Sequence, residues 1–248
     1  MAKKSDRLPI SQSRKFILSD DTQFAIKEAY KAARTNLVFS LAEDERKIVV
    51  ITSCSPSEGK STNCLNMAIT MSETGADVLL IDADMRKPVQ HSLLRLDNKT
   101  GLSSVLGGIV RDVSKVINRG VRSHLDILTA GPIPPNPAEL LQGSKMEQLI
   151  ELVGEHYDYV FIDTPPINVV TDALLLNGRT AGIIFVVKEG HTRHEEIRES
   201  LEKTRMTNGR VLGFIKANCA AKSSGGGYKY NYKYKYKYNY NYKYQEYK

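Results

Sequence analysis

The sequence of 248 residues has no tryptophan and only three cysteines, Cys54, Cys64 and Cys219. Their odd number and their spacing argue against a disulfide framework and a cysteine-based metal site, and are typical of reduced thiols in a cytosolic protein. No apolar run approaches the roughly 20 residues that a membrane-spanning helix requires. The basic residues at the N-terminus are not followed by an apolar segment, which argues against a secretory signal.

Tyrosine is scarce through most of the chain but abundant at its end. Only three of the 13 tyrosines, Tyr30, Tyr157 and Tyr159, precede residue 223. The other ten follow a Ser-Ser-Gly-Gly-Gly segment, mostly at every second position: Tyr228, Tyr230, Tyr232, Tyr234, Tyr236, Tyr238, Tyr240, Tyr242, Tyr244 and Tyr247. Six lysines and one glutamate give residues 223–248 a charge of +5, which leaves +2 of the total +7 for the rest. A nucleic-acid-binding body is usually more basic, so we expect no nucleic-acid partner.

Apolar segments of strand length alternate with helical patterns along the chain. Strands are predicted at 47–53, 77–83, 125–131, 157–163, 181–190 and 210–218, and helices at about 20–41, 60–75, 144–156, 171–177 and 192–207. Residues 86–122 read as short helices and loops, and a proline-led helix is predicted within 132–141. The alternation predicts an α/β fold with a mostly parallel central sheet that helices flank on both sides.

The composition also suggests three parts. Residues 1–19 are polar and aperiodic, and they are predicted to form a flexible arm. Residues 20–222 are predicted to form one domain. Residues 223–248 are predicted to be a disordered tail, because charge and low hydrophobicity disfavour packing.

The strongest local signal is ITSCSPSEGKST, residues 51–62. An apolar strand leads into a small-residue loop that ends in Gly59 and Lys60, and a helix follows. This order is typical of a P-loop, in which backbone N–H groups and a helix N-terminus face phosphates. Lys60 would reach the β- and γ-phosphates, and the Ser61 hydroxyl would bind Mg²⁺. The first glycine of the usual pattern is missing, because Cys54 stands in its place.

Two other predicted strands end in carboxylates. VLLIDADMR places Asp82 and Asp84 after an apolar run, with Arg86 two residues later, and YVFIDTPP places Asp163 before two prolines. Parallel strands bring their carboxyl ends to one edge of a sheet, where such folds bind ligands. We therefore predict that these carboxylates share the site of Lys60, where some hold Mg²⁺ and one accepts a proton.

Together these motifs resemble the bacterial tyrosine kinases of capsule and exopolysaccharide synthesis, of the CpsD/CapB type found in Gram-positive bacteria. Residues 52–61 match the family pattern T-S-x-x-P-G-E-G-K-S, except that Ser57 replaces the glycine. The D-x-D-x-R motif, the strand that ends at Asp163, the segment NPAELL and the tyrosine-rich C-terminus are also similar. The resemblance implies the P-loop NTPase fold of the ParA/MinD-like branch. It also implies ATP-dependent autophosphorylation of tail tyrosines between neighbouring subunits.

The resemblance implies roles for particular residues. Lys60, Asp82, Asp84 and Asp163 would be catalytic, with Asp82 or Asp84 as the base, and Ser61, Asp82 and Asp163 would hold Mg²⁺. Contacts to ATP are implied for Ser55, Pro56, Ser57, Glu58, Gly59, Lys60, Ser61, Thr62, Arg86 and Asn218. The family's ring-forming helix motif would correspond to Glu28, Lys31 and Arg34, where Lys31 replaces an arginine and so loses its bidentate fork.

The resemblance further implies partners and a location. Such kinases act with a membrane-anchored, Wzz-like activator through its cytoplasmic tail, are opposed by a protein tyrosine phosphatase, and form homo-oligomers, with an octameric ring as the expected form. The chain would be cytoplasmic and recruited to the inner face of the membrane.

Two other readings stay open from the sequence. A partition or division-site ATPase shares the fold, but its signature lysine would fall at Ser55, and such ATPases lack a tyrosine tail. A nucleic-acid-binding protein could use the alternating lysines and tyrosines to contact phosphates and stack on bases.

Overall fold

The computed structural model describes residues 9–218, which form a seven-stranded sheet between two layers of helices. The strands are β1 Ile48–Ser53, β2 Val78–Asp82, β3 Ile117–Arg122, β4 Leu125–Leu128, β5 Tyr159–Asp163, β6 Gly182–Lys188 and β7 Val211–Ala217. Their order in the sheet is β3-β4-β2-β5-β1-β6-β7. All neighbours are parallel except β3 and β4, which are antiparallel. The predicted α/β fold with a mostly parallel sheet is confirmed.

Within residues 9–218, eight α-helices connect or flank the strands. They are α1 Ile10–Ser13, α2 Phe24–Ser40, α3 Lys60–Ser72, α4 Gln90–Leu94, α5 Leu102–Leu106, α6 Pro137–Gln142, α7 Ser144–His156 and α8 His194–Met206. Three short 3-10 turns lie at Arg14–Phe16, Val113–Lys115 and Leu174–Leu176. No helix within residues 9–218 is long and apolar enough to cross a bilayer.

Strand β1 is apolar from Ile48 to Ile51 because both of its faces are buried. Ile48 and Val50 pack into the core that contains the apolar face of α7, while Val49 and Ile51 pack into the opposite core with α3. Successive side chains of a strand face opposite sides of the sheet, so a strand covered on both sides must be apolar throughout. Such a strand delivers the loop that follows it to one edge of the sheet.

Several predicted elements need correction. The segment 171–177 was predicted as a helix but forms only the 3-10 turn Leu174–Leu176, because Gly178 adopts a φ of 76° and turns the chain towards β6. Residues 86–122 were predicted to form short helices and loops, but they also contain strand β3. That strand pairs at the sheet edge with β4 across a two-residue turn, where an alternating apolar pattern is not required.

The N-terminal segment also differs from the predicted flexible arm over its described residues. Leu18 is buried, and its N–H donates to Asn66 Oδ1 at 2.9 Å. Arg14 Nε donates to the Ser92 carbonyl at 3.1 Å. These contacts hold residues 14–18 against α3 and α4, so the domain begins before residue 20.

Candidate active site

Three neighbouring strands end at the predicted site. In the sheet, β5 lies between β1 and β2, and Asp82 at the end of β2 is in register with Asp163 at the end of β5. Asp163 is also in register with Ile51 of β1, two residues before that strand ends. The three motifs that the sequence placed at strand ends therefore meet at one edge of the sheet.

The loop between β1 and α3 makes a tight turn with two residues in the left-handed region. Gly59 has a φ of 86°, and a Cβ there would lie 3.3 Å from Asn63 Nδ2, so glycine is favoured by both conformation and space. Ser57 has a φ of 67°, which is uncommon for a residue with a side chain. The 13-residue helix α3 then begins at Lys60, so its first N–H groups and positive dipole end face the loop.

Lys60 lies at the centre of the site. Its Nζ donates to Asp84 Oδ2 at 2.9 Å and to Asp163 Oδ1 at 3.2 Å, and it lies 3.1 Å from Ser61 Oγ. Burial opposes the charged form of this amine, but the carboxylates of Asp163 and Asp84 outweigh burial and raise the pKa of Lys60. Lys60 is therefore a buried, permanently charged ammonium.

Asp82 is fully buried and is bound mainly by backbone groups. Its Oδ2 accepts the N–H groups of Val89 at 3.1 Å and Gln90 at 3.0 Å, and its Oδ1 accepts that of Asp84 at 3.3 Å. Burial and the nearby Asp163 carboxylate raise the pKa of Asp82 to about 8, despite the opposing bonds from the backbone. The pKa of Asp163 is also raised, mainly by burial. Asp82 is thus a carboxyl group that holds a proton near neutral pH.

Gln90 is a site residue that the sequence reasoning missed. Its Nε2 donates to the Ser61 carbonyl at 3.0 Å and to Asp163 Oδ2 at 2.9 Å. It thereby joins α4, the start of α3 and the end of β5. No local pattern marked this glutamine, because its partners are 29 and 73 residues away in the chain.

The buried carboxylate of Glu58 holds the loop between β1 and α3 through two hydrogen bonds. Glu58 Oε2 accepts the Ser55 N–H at 3.0 Å, and its Oε1 accepts the Thr192 hydroxyl at 2.6 Å. Ser55 Oγ in turn donates to Glu196 Oε1 of α8 at 3.1 Å. Glu58 is only 1% exposed, and its carboxylate is occupied by these contacts. Any contact of Glu58 with ATP would therefore come from its backbone N–H.

Arg86 is occupied by a partner that the sequence did not suggest. Its Nε and Nη2 donate to the two carboxylate oxygens of Asp172, at 2.9 and 3.0 Å. Asp172 is fully buried, whereas the Arg86 side chain is 37% exposed. This bidentate pair ties the loop after β2 to the segment after β5, so any contact of Arg86 with ATP would come from its exposed part.

The remaining predicted residues lie around this centre or away from it. Asn218 is exposed and follows β7, the edge strand two places from β1. On α2, Lys31 Nζ pairs with Glu28 Oε1 at 2.8 Å on the surface, whereas Arg34 Nη1 donates to the Thr70 carbonyl at 2.7 Å. Glu28 and Lys31 thus remain available at the surface, and Arg34 joins α2 to α3. Cys219 and the tail tyrosines lie outside the described residues.

The oxygen groups of the site suit a magnesium ion that arrives with phosphate. Within residues 9–218, no group of three or more His, Cys, Asp or Glu side chains is arranged to hold a metal by itself. The Ser61 hydroxyl and the carboxylates of Asp82 and Asp163 are hard oxygen ligands. Mg²⁺ commonly takes one or two carboxylates and completes its shell with water and substrate phosphates. The residues present therefore fit that ion.

Comparisons with known proteins agree with this geometry. A family model described as an AAA domain matches residues 46–191. The tyrosine-protein kinase YwqD of Bacillus subtilis is 41% identical over 188 residues, which cover 76% of this chain and 79% of YwqD. The chain belongs to the bacterial tyrosine-protein kinases.

Two solved structures place the fold in the same kinase family. The chimerical protein CapA2B2 is 36% identical with a TM-score of 0.74, and the match covers 79% of this chain and 86% of that chain. The kinase domain of the Escherichia coli tyrosine kinase ETK is 30% identical with a TM-score of 0.76, over 91% and 88% of the two chains. A plasmid partition protein from Borrelia burgdorferi shares only the fold, at 21% identity and a TM-score of 0.53. The partition-ATPase interpretation is therefore not favoured for this kinase.

Proposed function

We propose that this kinase transfers the γ-phosphoryl group of ATP to tyrosines of its own C-terminal cluster, with one subunit modifying its neighbour. The observation that carries the proposal is the ion cluster of Lys60 with Asp84 and Asp163 beside a phosphate-type loop, in a chain that ends in ten closely spaced tyrosines. The family named above consists of tyrosine kinases, which supports the same reaction.

The phosphates of ATP would bind to the N–H groups of the loop at 55–59 and to the start of α3. Lys60 would bind the β- and γ-phosphates and stabilise negative charge on the transferred group. Ser61, Asp82 and Asp163 would hold Mg²⁺, which neutralises phosphate charge. These residues position the γ-phosphoryl group in line with the incoming hydroxyl, which is most of what a phosphoryl-transfer site has to do.

Asp82 is the proposed base, with Asp84 as the alternative. The tyrosine O–H gives its proton to the carboxylate while its oxygen bonds to the γ-phosphorus, and the bond from phosphorus to the bridging oxygen breaks to release ADP. A general base is most effective when its pKa lies near the working pH. Without metal, burial raises the pKa of Asp82 to about 8, so this carboxyl group can hold a proton near neutral pH.

The tail supplies many acceptors to one site. The Ser-Ser-Gly-Gly-Gly segment has the composition of a long-reaching linker, and the lysines between the tyrosines would be attracted to a site that carries carboxylates and phosphates. We further propose that this reaction regulates capsular or exopolysaccharide synthesis. The kinase would act in the cytoplasm at the inner face of the membrane, recruited by a Wzz-like membrane activator and opposed by a phosphatase.

The decisive test is the substitution Lys60→Met. Because Met has a similar length but no charge, phosphotyrosine on residues 228–247 should fall at least about a hundredfold when the protein is incubated with ATP and Mg²⁺, as measured by mass spectrometry. The exposed Lys115 offers a matched control, and Lys115→Met should label like the wild type. Strong labelling of the Lys60→Met protein would contradict the proposed site.

A further inference from the structure

The side-chain amide of Gln90 has an NH₂ group with two hydrogen-bond partners and an oxygen that has none among the described residues. The residue is 0% exposed, and its Nε2 donates to the Ser61 carbonyl and to Asp163. Its Oε1 is buried and has no hydrogen-bond partner among the described residues. Leaving a buried acceptor without a donor destabilises a protein, so this atom calls for an explanation.

The orientation of this amide is fixed by chemistry. A backbone carbonyl can only accept a hydrogen bond, so the group that faces the Ser61 carbonyl must be the NH₂ of Gln90. Turning the amide over would place two acceptors against each other. The orphaned atom is therefore an oxygen, and the ligand that completes it must be a hydrogen-bond donor.

The position of the orphaned oxygen restricts that donor. It belongs to the same planar amide whose NH₂ group binds the Ser61 backbone carbonyl and the Asp163 carboxylate, and Asp163 is one of the residues suited to holding Mg²⁺. Phosphate oxygens of ATP are acceptors and cannot satisfy it. Mg²⁺ keeps several waters in most protein sites, and a water on a divalent cation is a strong donor.

We propose that Gln90 is a positioning residue of the metal site, which fixes Asp163 through its NH₂ group and receives a hydrogen bond from a metal-bound water at its Oε1. The two oxygens of Asp163 are divided accordingly, because Oδ2 accepts from Gln90 while Oδ1 faces Lys60. A residue that hydrogen-bonds to a metal ligand orients that ligand and changes the affinity of the site for the metal.

The backbone of Gln90 links the same residue to the second acidic motif. Asp82 accepts its N–H at 3.0 Å, and Asp163 is held by its side chain. One residue thus connects both carboxylates proposed to hold the metal. This inference rests on the proposed ATP and Mg²⁺ site and assigns a further residue to it.

The test measures metal binding without turnover. Mn²⁺ replaces Mg²⁺, ADP replaces ATP, and the dissociation constant of Mn²⁺ in the presence of saturating ADP is measured from the electron paramagnetic resonance of free Mn²⁺. Gln90→Met removes both halves of the amide at similar volume and should raise that constant about tenfold or more. The exposed Gln142 at the end of α6 gives the matched control, because Gln142→Met should bind Mn²⁺ like the wild type.

A second variant separates metal positioning from simple packing. Gln90→Glu keeps an acceptor oxygen but exchanges the NH₂ group for a carboxylate oxygen beside Asp163, so its melting temperature without metal should fall. The added negative charge attracts the cation and offsets the lost bond to Asp163, so its Mn²⁺ dissociation constant should stay equal to the wild type or become smaller. Wild-type affinity in Gln90→Met, or equal weakening in both variants, would overturn the inference. If Gln90→Met does not fold, Gln90→Glu decides alone: a dissociation constant equal to or smaller than that of the wild type supports the inference, and a larger one overturns it. A wild-type protein that binds neither ADP nor Mn²⁺ would instead overturn the proposed function, and this inference with it.

Discussion

Ser57 is the residue at which the phosphate loop departs most clearly from relaxed backbone geometry. Its φ of 67° lies in the left-handed region, where a residue with a Cβ is disfavoured by about 1–2 kcal/mol. The family pattern has glycine at this position, and the sequence shows the replacement but not the conformation of the residue. The structure shows that the loop keeps the glycine-type backbone although the side chain has changed.

Replacing Ser57 by glycine should therefore stabilise the protein. We expect Ser57→Gly to raise the free energy of unfolding by about 0.5–1 kcal/mol, because the relief of strain exceeds the extra entropy of glycine in the unfolded chain. Urea titration measures this difference. Ser57→Ala keeps the strain and serves as the control, and an equal gain in both variants would show that the backbone is not the cause.

Asp82 should make stability depend on pH. Its pKa is about 8 in the folded protein, against about 3.9 in an unfolded chain, so the folded state binds more protons between these values. The stabilisation is fully present below pH 4 and is lost as the pH rises through 8, with a slope of at most about 1.4 kcal/mol per pH unit for one proton.

The measurement is the free energy of unfolding by urea between pH 5 and pH 9. Asp82→Asn should flatten the decline in that window, since the amide has no proton to lose. Asp21→Asn, at an exposed aspartate, should retain the wild-type profile. A decline of unchanged slope in Asp82→Asn would assign the pH dependence to another group.

At the scale of elements, the phosphate loop depends on the turn that precedes α8. The Thr192 hydroxyl donates to the buried Glu58 carboxylate at 2.6 Å and accepts the Lys188 N–H at 2.8 Å. This side chain connects the end of β6 to the loop after β1. The loop is therefore held by a neighbouring element as well as by its own turns.

Thr192→Val should weaken that connection at nearly constant volume. It leaves Oε1 of the buried Glu58 carboxylate without its hydroxyl donor, while Oε2 keeps the Ser55 N–H, so the free energy of unfolding should fall by about 1–3 kcal/mol. The KM for ATP should rise more than kcat falls, because the loop binds phosphate in the ground state as well as in the transition state. Thr192→Ser keeps the hydroxyl and should behave like the wild type. A Thr192→Val protein with unchanged stability and KM would contradict the role of this contact.

The elements show which features a sequence alone can predict. Strand β1 could be located because a strand buried on both sides is apolar throughout, and the acidic strand ends could be grouped because parallel strands finish at one edge. Strand β3 could not be located in this way, since an edge strand that pairs on one side only does not need a continuous apolar run. Some contacts of the site join residues that are far apart in the chain, so no local pattern in the sequence predicts them. They are the contacts of Gln90, of Glu58 with Thr192 and of Arg86 with Asp172.

At the scale of the whole molecule, charge is divided between a nearly neutral body and a tail of +5. Each phosphate adds about −1.5 to −2 at neutral pH. Phosphorylation of all ten tyrosines would change the tail to about −10 to −15, which would make neighbouring tails of an assembly repel each other. Tail modification is therefore expected to oppose assembly of the subunits.

The assembly itself is expected to involve the exposed face of α2. Lys31 pairs with Glu28 in the isolated chain and replaces an arginine of the family pattern. Lys31→Arg restores a bidentate donor, so the average mass of the assembly at a fixed concentration should rise, as measured by light scattering. Lys115→Arg, at an exposed site outside α2, should leave the mass unchanged. An unchanged mass for Lys31→Arg would exclude this face from the subunit contact.

The ammonium of Lys60, between Asp84 and Asp163, gives the empty kinase its own internal counterion. This ammonium compensates part of the negative charge before any metal is present, so a free divalent cation gains less by entering alone. A nucleotide changes this balance because its phosphates attract the lysine and leave the carboxylates to the incoming metal. Loading the kinase is then an exchange of one cation for another. Chelators should consequently leave the empty protein folded, and metal and nucleotide should bind as one unit.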